Sequence, residues 1–169
     1  MLIFLMRHGI AAERDPARYP DDDLRPLTPQ GKRRTTAVAR GMAGMGLGIT
    51  RILTSPLVRA EQTARIVCGA LGLSSDSLLA SAALHPDQAA AAIVPELASA
   101  ASDPGVLLVG HEPHLSFLTS WLLTGAENGL RLTFKKAGLA CVECARVPSG
   151  GSAVLQFFMK PGQVAAFAG

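Results

Sequence analysis

Two histidines and two arginines carry the chemistry that can be read from this chain: Arg7-His8 followed by Gly9, Gly110-His111, and Arg59 shortly after Ser55-Pro56. A guanidinium is a planar fork of donors that matches phosphate or carboxylate, so a pair of them at one place implies a multiply charged oxyanion. An imidazole beside two guanidiniums is pushed towards its neutral form by like charge. Neutral imidazole keeps a lone pair and can attack phosphorus as a nucleophile. Glycine at position 9 lets the backbone approach closely, and a carbonyl taking the proton of one ring nitrogen leaves the other free to react. His8, tied directly to Arg7, is the nucleophile candidate. His111 is assigned as a donor to the phosphoryl oxygens.

These residues need elements that bring them together. Leu2 to Met6 and Val106 to Val109 are unbroken apolar runs, as expected for strands covered on both faces, and Ile52 to Thr54 is a shorter one. Open α/β sheets hold ligands beyond the carboxyl ends of their strands. Arg7-His8 and His111 follow two such ends directly, and Arg59 follows the third within a helical turn. Thr28-Pro29 and Ser55-Pro56 read as helix starts, with the hydroxyl as cap and proline at the first helical position, and Glu112-Pro113 is a weaker version. The first helix runs from Pro29 to about Met45 and the second from Pro56 to Leu71. A third places Leu115, Leu118 and Leu122 on one face before Gly125, and the alanine-rich Asp87 to Ala101 is a further helix that Pro95 bends or splits. Ala137 to Val147 and Ser152 to Met159 read as two antiparallel strands around Pro148-Ser149-Gly150-Gly151. Residues 1–169 are thus expected to form a single three-layer α/β domain, its mostly parallel sheet flanked by helices and ending in an antiparallel hairpin. Ile10 to Leu27 is the one long loop, a class of segment that often carries function.

Composition narrows the possibilities. The 169 residues are 49% hydrophobic and 17% charged with mean hydropathy +0.29, which excludes a disordered tail protein. No apolar run approaches the ~20 residues of a membrane span, and Leu2 to Met6 is too short for a signal-peptide core. Three cysteines are an odd number, read as free thiols in a cytoplasmic protein. The net charge of +3 suits an anionic substrate, while 5% aromatics and a lone Lys32-Arg33-Arg34 cluster on a solvated helix face argue against nucleic acid. His111 and His114 have a metal-like spacing, but Pro113 lies between them and no thiol or carboxylate set completes a site, so no metal is expected. His114 is read as a near-site or surface residue. Cys141 and Cys144, three apart on a strand, would point to opposite faces. Cys68, Met42 and Met45 are core fillers. Arg14, Arg18 and Arg25 are read as solvated charges on the loop, with docking of an acidic protein surface as the functional alternative.

Four blocks in order carry a resemblance: Leu5-Met6-Arg7-His8-Gly9, Leu27-Thr28-Pro29-Gln30-Gly31, Thr54 to Ala64 (containing Arg59-Ala60-Glu61-Gln62-Thr63), and Val109-Gly110-His111. Together they resemble the histidine phosphatase superfamily, which also contains the cofactor-dependent phosphoglycerate mutases. The chain is most similar to its small SixA-type phosphohistidine phosphatases. The resemblance implies that His8 is phosphorylated during turnover, that Arg7, Arg59 and His111 form the phosphate pocket, and that neither metal nor cofactor is required. It implies a phosphorylated partner, either a phosphohistidine-bearing signalling (phosphotransfer) protein or a small phosphorylated molecule, with no role for nucleic acid or membrane.

One departure bears on the substrate. Relatives acting on phosphate esters often carry a carboxylic acid in a Leu-x-Glu pattern, where this chain reads Leu84-His85-Pro86-Asp87. An alkoxide leaving group needs a proton, and general acid catalysis is worth ~100- to 10,000-fold. Imidazole titrates near ~6.5 and leaves easily without that help. The missing acid therefore points to a phosphoramidate such as phosphohistidine, with Asp87, His85 or Glu13 as possible replacements. The alternatives are a small phosphate-ester or sugar-phosphate phosphatase using the same site, and a non-catalytic phosphate-binding module.

Overall fold

A computed structural model describes residues 1–144 and 147–169. The chain forms β1 (Leu2–Arg7), α1 (Pro29–Gly44), β2 (Arg51–Thr54), α2 (Val58–Ala70), β3 (Leu78–Ala80), α3 (Val94–Ser99), β4 (Gly105–Gly110), α4 (His114–Thr124), β5 (Leu139–Glu143), β6 (Val154–Met159) and α5 (Pro161–Ala165). The six strands make one mixed sheet in the order β3-β2-β4-β1-β5-β6. The first four are mutually parallel, whereas β5 runs antiparallel to both β1 and β6. This is the expected α/β architecture.

Side chains alternate across a strand, and each face of the sheet has its own core. Along β1, Phe4 and Met6 enter a cluster with Val38 and Met42 of α1, Ala64 and Val67 of α2, and Val164 of α5. Ile3 and Leu5 enter the opposite cluster with Leu97 of α3, Leu115, Leu118 and Leu122 of α4, and Phe134. Burying each such side chain is worth about 1.5–3 kcal/mol, so the central strands are firmly held. Cys141 and Cys144 fall in different cores, as the strand alternation requires, and both thiols are free.

Thr28 caps α1 through its hydroxyl, which accepts from the Gly31 amide at 2.9 Å. A Cβ on Gly31 would collide with the Ile10 carbonyl, so this glycine lets the helix start press against the chain leaving β1. Left-handed Gly125 ends α4, as expected.

Several boundaries differ from the sequence reading. Helix α2 begins at Val58 rather than Pro56, with Leu57 as its cap, and the Ser55 hydroxyl accepts from the Leu57 amide at 3.4 Å while also meeting His111. Helix α4 starts at His114, and Glu112 serves not as its cap but as a brace, accepting from Ser116 Oγ and the Phe134 amide, each at 2.6 Å. The Asp87–Ala101 helix is a 3-10 turn, Ala90–Ile93, followed by α3, with Pro95 in the first turn where its missing N–H costs nothing. The first hairpin strand is shorter than Ala137 to Val147: Ala137 has φ of 61°, and β5 covers only Leu139–Glu143. Ala145 and Arg146 of that expected strand lie outside the described residues. Strand β3 and helix α5 are additions.

Candidate active site

Strand register assembles the site. Arg7 pairs with Gly110 and Thr54 with Val109, so His8, Ser55 and His111, each the next residue along, meet beyond one edge of the sheet. The His8 amide donates to the Gly110 carbonyl at 3.0 Å and the Ser55 amide to Val109 at 2.9 Å, carrying the ladder one step further. The rings of His8 and His111 lie 5.0 Å apart, centre to centre. Arg59 comes from the first turn of α2, so all four residues chosen from the sequence are gathered at one place.

His8 is 7% exposed. Its Nδ1 lies 2.7 Å from the Gly9 carbonyl, which can only accept, so Nδ1 carries the proton and Nε2 keeps its lone pair. Burial is the main force that lowers its pKa to about 3. The bond to Gly9 opposes this, and Arg59, Arg7 and Lys136 add to it. The ring is neutral as expected, but the cause is first desolvation and only then like charge. Gly9 is hemmed in: a Cβ there would strike Thr35 Oγ1, and its amide donates to Thr63 Oγ1 at 3.0 Å.

His111 is held lower still, to about 2, by burial and then by His8, Arg59, His85 and His114. Its Nε2 is 2.8 Å from Ser55 Oγ, a closer partner for that hydroxyl than the Leu57 amide. Arg7 donates from Nη1 to the Phe134 carbonyl at 2.7 Å. Arg59 donates from Nη1 to the Asp22 carbonyl at 2.7 Å and pairs through Nη2 with the Asp22 carboxylate at 3.1 Å. Three nitrogens of these residues, Arg7 Nε, Arg59 Nε and His111 Nδ1, are buried without any hydrogen-bond partner; both arginine atoms are donors, and His111 Nδ1 is one in the tautomer whose Nε2 accepts from the Ser55 hydroxyl. Each buried orphan donor costs about 1–3 kcal/mol, a cost that an acceptor brought within reach would relieve.

The loop Ile10–Leu27 is anchored onto this site. An isolated bridge joins Ala11 to Leu27, Gln62 Oε1 accepts from the Leu27 amide, and Asp22 reaches Arg59. Arg25 is not a solvated charge, since it holds the Asp22 carboxylate at 2.8 Å and donates to the Ala12 carbonyl at 2.6 Å. Together with Arg59 and Arg14, it keeps the Asp22 carboxyl below its usual range, the Arg25 hydrogen bond acting most. Arg14 is exposed and Arg18 lies over the Tyr19 ring. Of the candidate acids, His85 lies at the rim between Asp23 (3.7 Å) and Asp87 (3.5 Å), while Glu13 is exposed and touches none of the four. His114 is buried within the fold rather than at the surface. Among the described residues no group of three or more His, Cys, Asp or Glu is arranged to hold a metal.

Asp22, Thr63 and Lys136 join the site without having been candidates from the sequence. Thr63 lies one turn after Arg59 and donates back to its carbonyl at 2.7 Å, so its spacing was a usable signal. Asp22 opens a three-residue 3-10 turn, Asp22–Leu24, and Lys136 lies in an irregular stretch, and in neither does spacing say much.

Comparison with known proteins shows the family and the fold. Residues 3–79 match the histidine phosphatase superfamily (branch 1). An uncharacterized protein of Picosynechococcus sp. is 39% identical over 139 residues, 82% of either chain. The phosphohistidine phosphatase SixA of Escherichia coli is 34% identical over 131 residues, 74% of this chain and 76% of the relative. The structure of the protein histidine phosphatase SixA complexed with tungstate superposes with a TM-score of 0.83 at 28% identity, covering 97% of this chain and 99% of that one.

Proposed function

Because this chain belongs to the histidine phosphatase superfamily, we infer that it hydrolyses phosphohistidine on a signalling protein through a phosphorylated His8. The observation that carries this reading is the neutral His8 ring surrounded by three buried donors without partners. Arg7 Nε, Arg59 Nε and His111 Nδ1 would seat the equatorial oxygens of the phosphoryl group and stabilise charge as it spreads over them. The His8 Nε2 lone pair forms a bond to phosphorus as the substrate P–N bond breaks, and that electron pair leaves with the substrate imidazole. A substrate ring protonated on its distal nitrogen departs as neutral imidazole and needs no acid from the protein. Water then attacks phosphorus, the P–Nε2 pair returns to His8, and inorganic phosphate carries the oxygen away with the proton released to solvent. Nδ1–H stays on the Gly9 carbonyl throughout, which keeps Nε2 the reacting atom.

Similarity to SixA and the absence of the Leu-x-Glu acid both support phosphohistidine as the substrate. Ester hydrolysis at the same site is favoured by one observation, His85 poised at the rim between two carboxylates, from where it could protonate an alkoxide. A substrate panel decides: phosphohistidine protein, phosphoserine peptide and sugar phosphate, each with the wild type and His8→Ala. The expected result is hydrolysis of phosphohistidine, acid-labile label on the wild type alone, and no turnover by the variant. Strong turnover of esters alone would overturn the substrate choice, and absence of label at His8 would overturn the mechanism.

A further inference from the structure

Beside the phosphoryl site lies a concave surface of about 550 Å³ whose lining includes Ile10, Arg34, Lys135, Lys136, Lys160 and Pro161. Its cations come from three separate segments: α1, the irregular stretch before β5, and the junction of β6 with α5. No carboxylate lines it, and none of the ion pairs among the described residues involves any of the four. The surroundings of Arg59 are different, since there Asp22, Asp23 and Asp87 already face Arg59, Arg25 and His85. The positive charge of this groove is therefore left unbalanced.

The groove is continuous with the site. Ile10 follows the Gly9 whose carbonyl fixes His8, and Lys135-Lys136 follow the Phe134 whose carbonyl fixes Arg7. Ala137, next in the chain, donates its amide to the carbonyls of Arg7 and His8. A substrate bound through its phosphoryl group must extend past one flank of the pocket, and this flank offers four free cations. Their shape selects the class of ligand. A second phosphate on a small molecule is best gripped by forks or convergent amides. Here three of the four are ammoniums on flexible stems with exposed ends, over walls of aliphatic carbon, which suits carboxylates spread over a macromolecular surface.

Resting on the phosphoprotein reading above, we propose that this groove docks an acidic stretch flanking the phosphorylated residue of the substrate protein. Arg34, Lys135 and Lys160 select the partner, and Lys136 joins groove to pocket.

The test uses two phosphohistidine peptides that differ only in four flanking residues, Glu in one and Gln in the other, with phosphoramidate as the small substrate. The wild type should show a KM about tenfold lower for the Glu peptide at low salt, the combined scale of three exposed charge pairs. The triple variant Arg34→Glu, Lys135→Glu, Lys160→Glu should lose that preference while its kcat/KM on phosphoramidate is unchanged. Equal KM values in the wild type would overturn the proposal, as would a preference that survives in the triple variant or an equal loss on phosphoramidate. Inorganic pyrophosphate is added as a competitor; inhibition tenfold stronger in the wild type than in the triple variant would assign the groove to a second phosphate instead. If only phosphoserine peptides are hydrolysed, the phosphohistidine reading fails separately, and the same Glu and Gln pair in phosphoserine form then tests the groove by the same KM ratio. Turnover of no peptide at all would sink the groove together with the protein substrate.

Discussion

Replacing His8 by asparagine removes a titratable ring while leaving an amide nitrogen able to donate to the Gly9 carbonyl, so it isolates what burying a neutral imidazole does to stability. The unfolded chain binds a proton on this ring near ~6.5, whereas the folded chain resists until about 3. Between those values the unfolded state holds more protons, so stability rises with pH, is fully present above the unfolded pKa and is lost as pH falls. At 1.36 kcal/mol per unit, His8 should withdraw about 2 kcal/mol between pH 7 and pH 5, and about 5 by the time the folded ring titrates. His111, held at about 2, withdraws a similar amount over the first interval. Urea unfolding at pH 7, 6 and 5 measures this directly. The two rings should cost wild type about 4 kcal/mol, and His114, also lowered by burial, adds to the loss in both proteins, so His8→Asn should lose about 2 kcal/mol less than wild type at an unchanged m-value. Asp22 does not confuse the result, because its carboxyl is held below the usual carboxylate range and so titrates under this window. An identical pH dependence in wild type and variant would show that His8 is not a buried neutral ring, and a free lone pair at Nε2 would no longer be supported.

Other outcomes rest on the same geometry. Arg59→Lys keeps the charge but loses the forked donor, so kcat/KM should fall by about 100- to 1,000-fold, read by steady-state kinetics on phosphoramidate. Thr63→Val leaves the Gly9 amide buried without its acceptor; chemical denaturation should show a loss of about 1–3 kcal/mol. Tungstate or orthovanadate should raise the Tm of the wild type by satisfying the orphan donors, and a shift that persists in an Arg7→Met, Arg59→Met double variant would place the anion elsewhere.

The gathering of the candidate residues was legible because they hang on the best-marked part of the chain. Apolar runs at Leu2–Met6 and Val106–Val109 identify buried parallel strands, and once those are paired, the residues after their ends must meet. His8 and His111 needed only that, and Arg59 needed one helix start. Ser55 misled because a hydroxyl before proline is the usual mark of a cap, yet here the helix starts three residues later and the hydroxyl faces His111. Strand β3 has three residues, two of them exposed, and α5 has five, so neither displays a period. The loop was the real gap. Arg25 and Asp22 form a local structure around Arg59 through side-chain contacts that no repeat of hydrophobicity encodes.

That loop explains how one guanidinium can be both pinned and available. Asp22 takes Nη1 with its backbone carbonyl and Nη2 with its carboxylate, occupying the outer edge of Arg59. Nε is left buried and unsatisfied. A carboxylate at this distance could have competed with the substrate, but it engages different hydrogens from those an incoming phosphoryl oxygen would use. Arg25 shares the same carboxylate, spreading its charge over two cations and drawing it away from the pocket. Arg7 repeats the arrangement without an acid, its Nη1 tied to the Phe134 carbonyl and its Nε free. In both arginines, therefore, the distal nitrogens fix the plane of the fork and Nε is left without a partner, so under the proposed function the long side chains are ordered before an anion arrives. Binding then costs little of the rotamer entropy, about 2 kcal/mol per arginine, that an unpinned pair would lose.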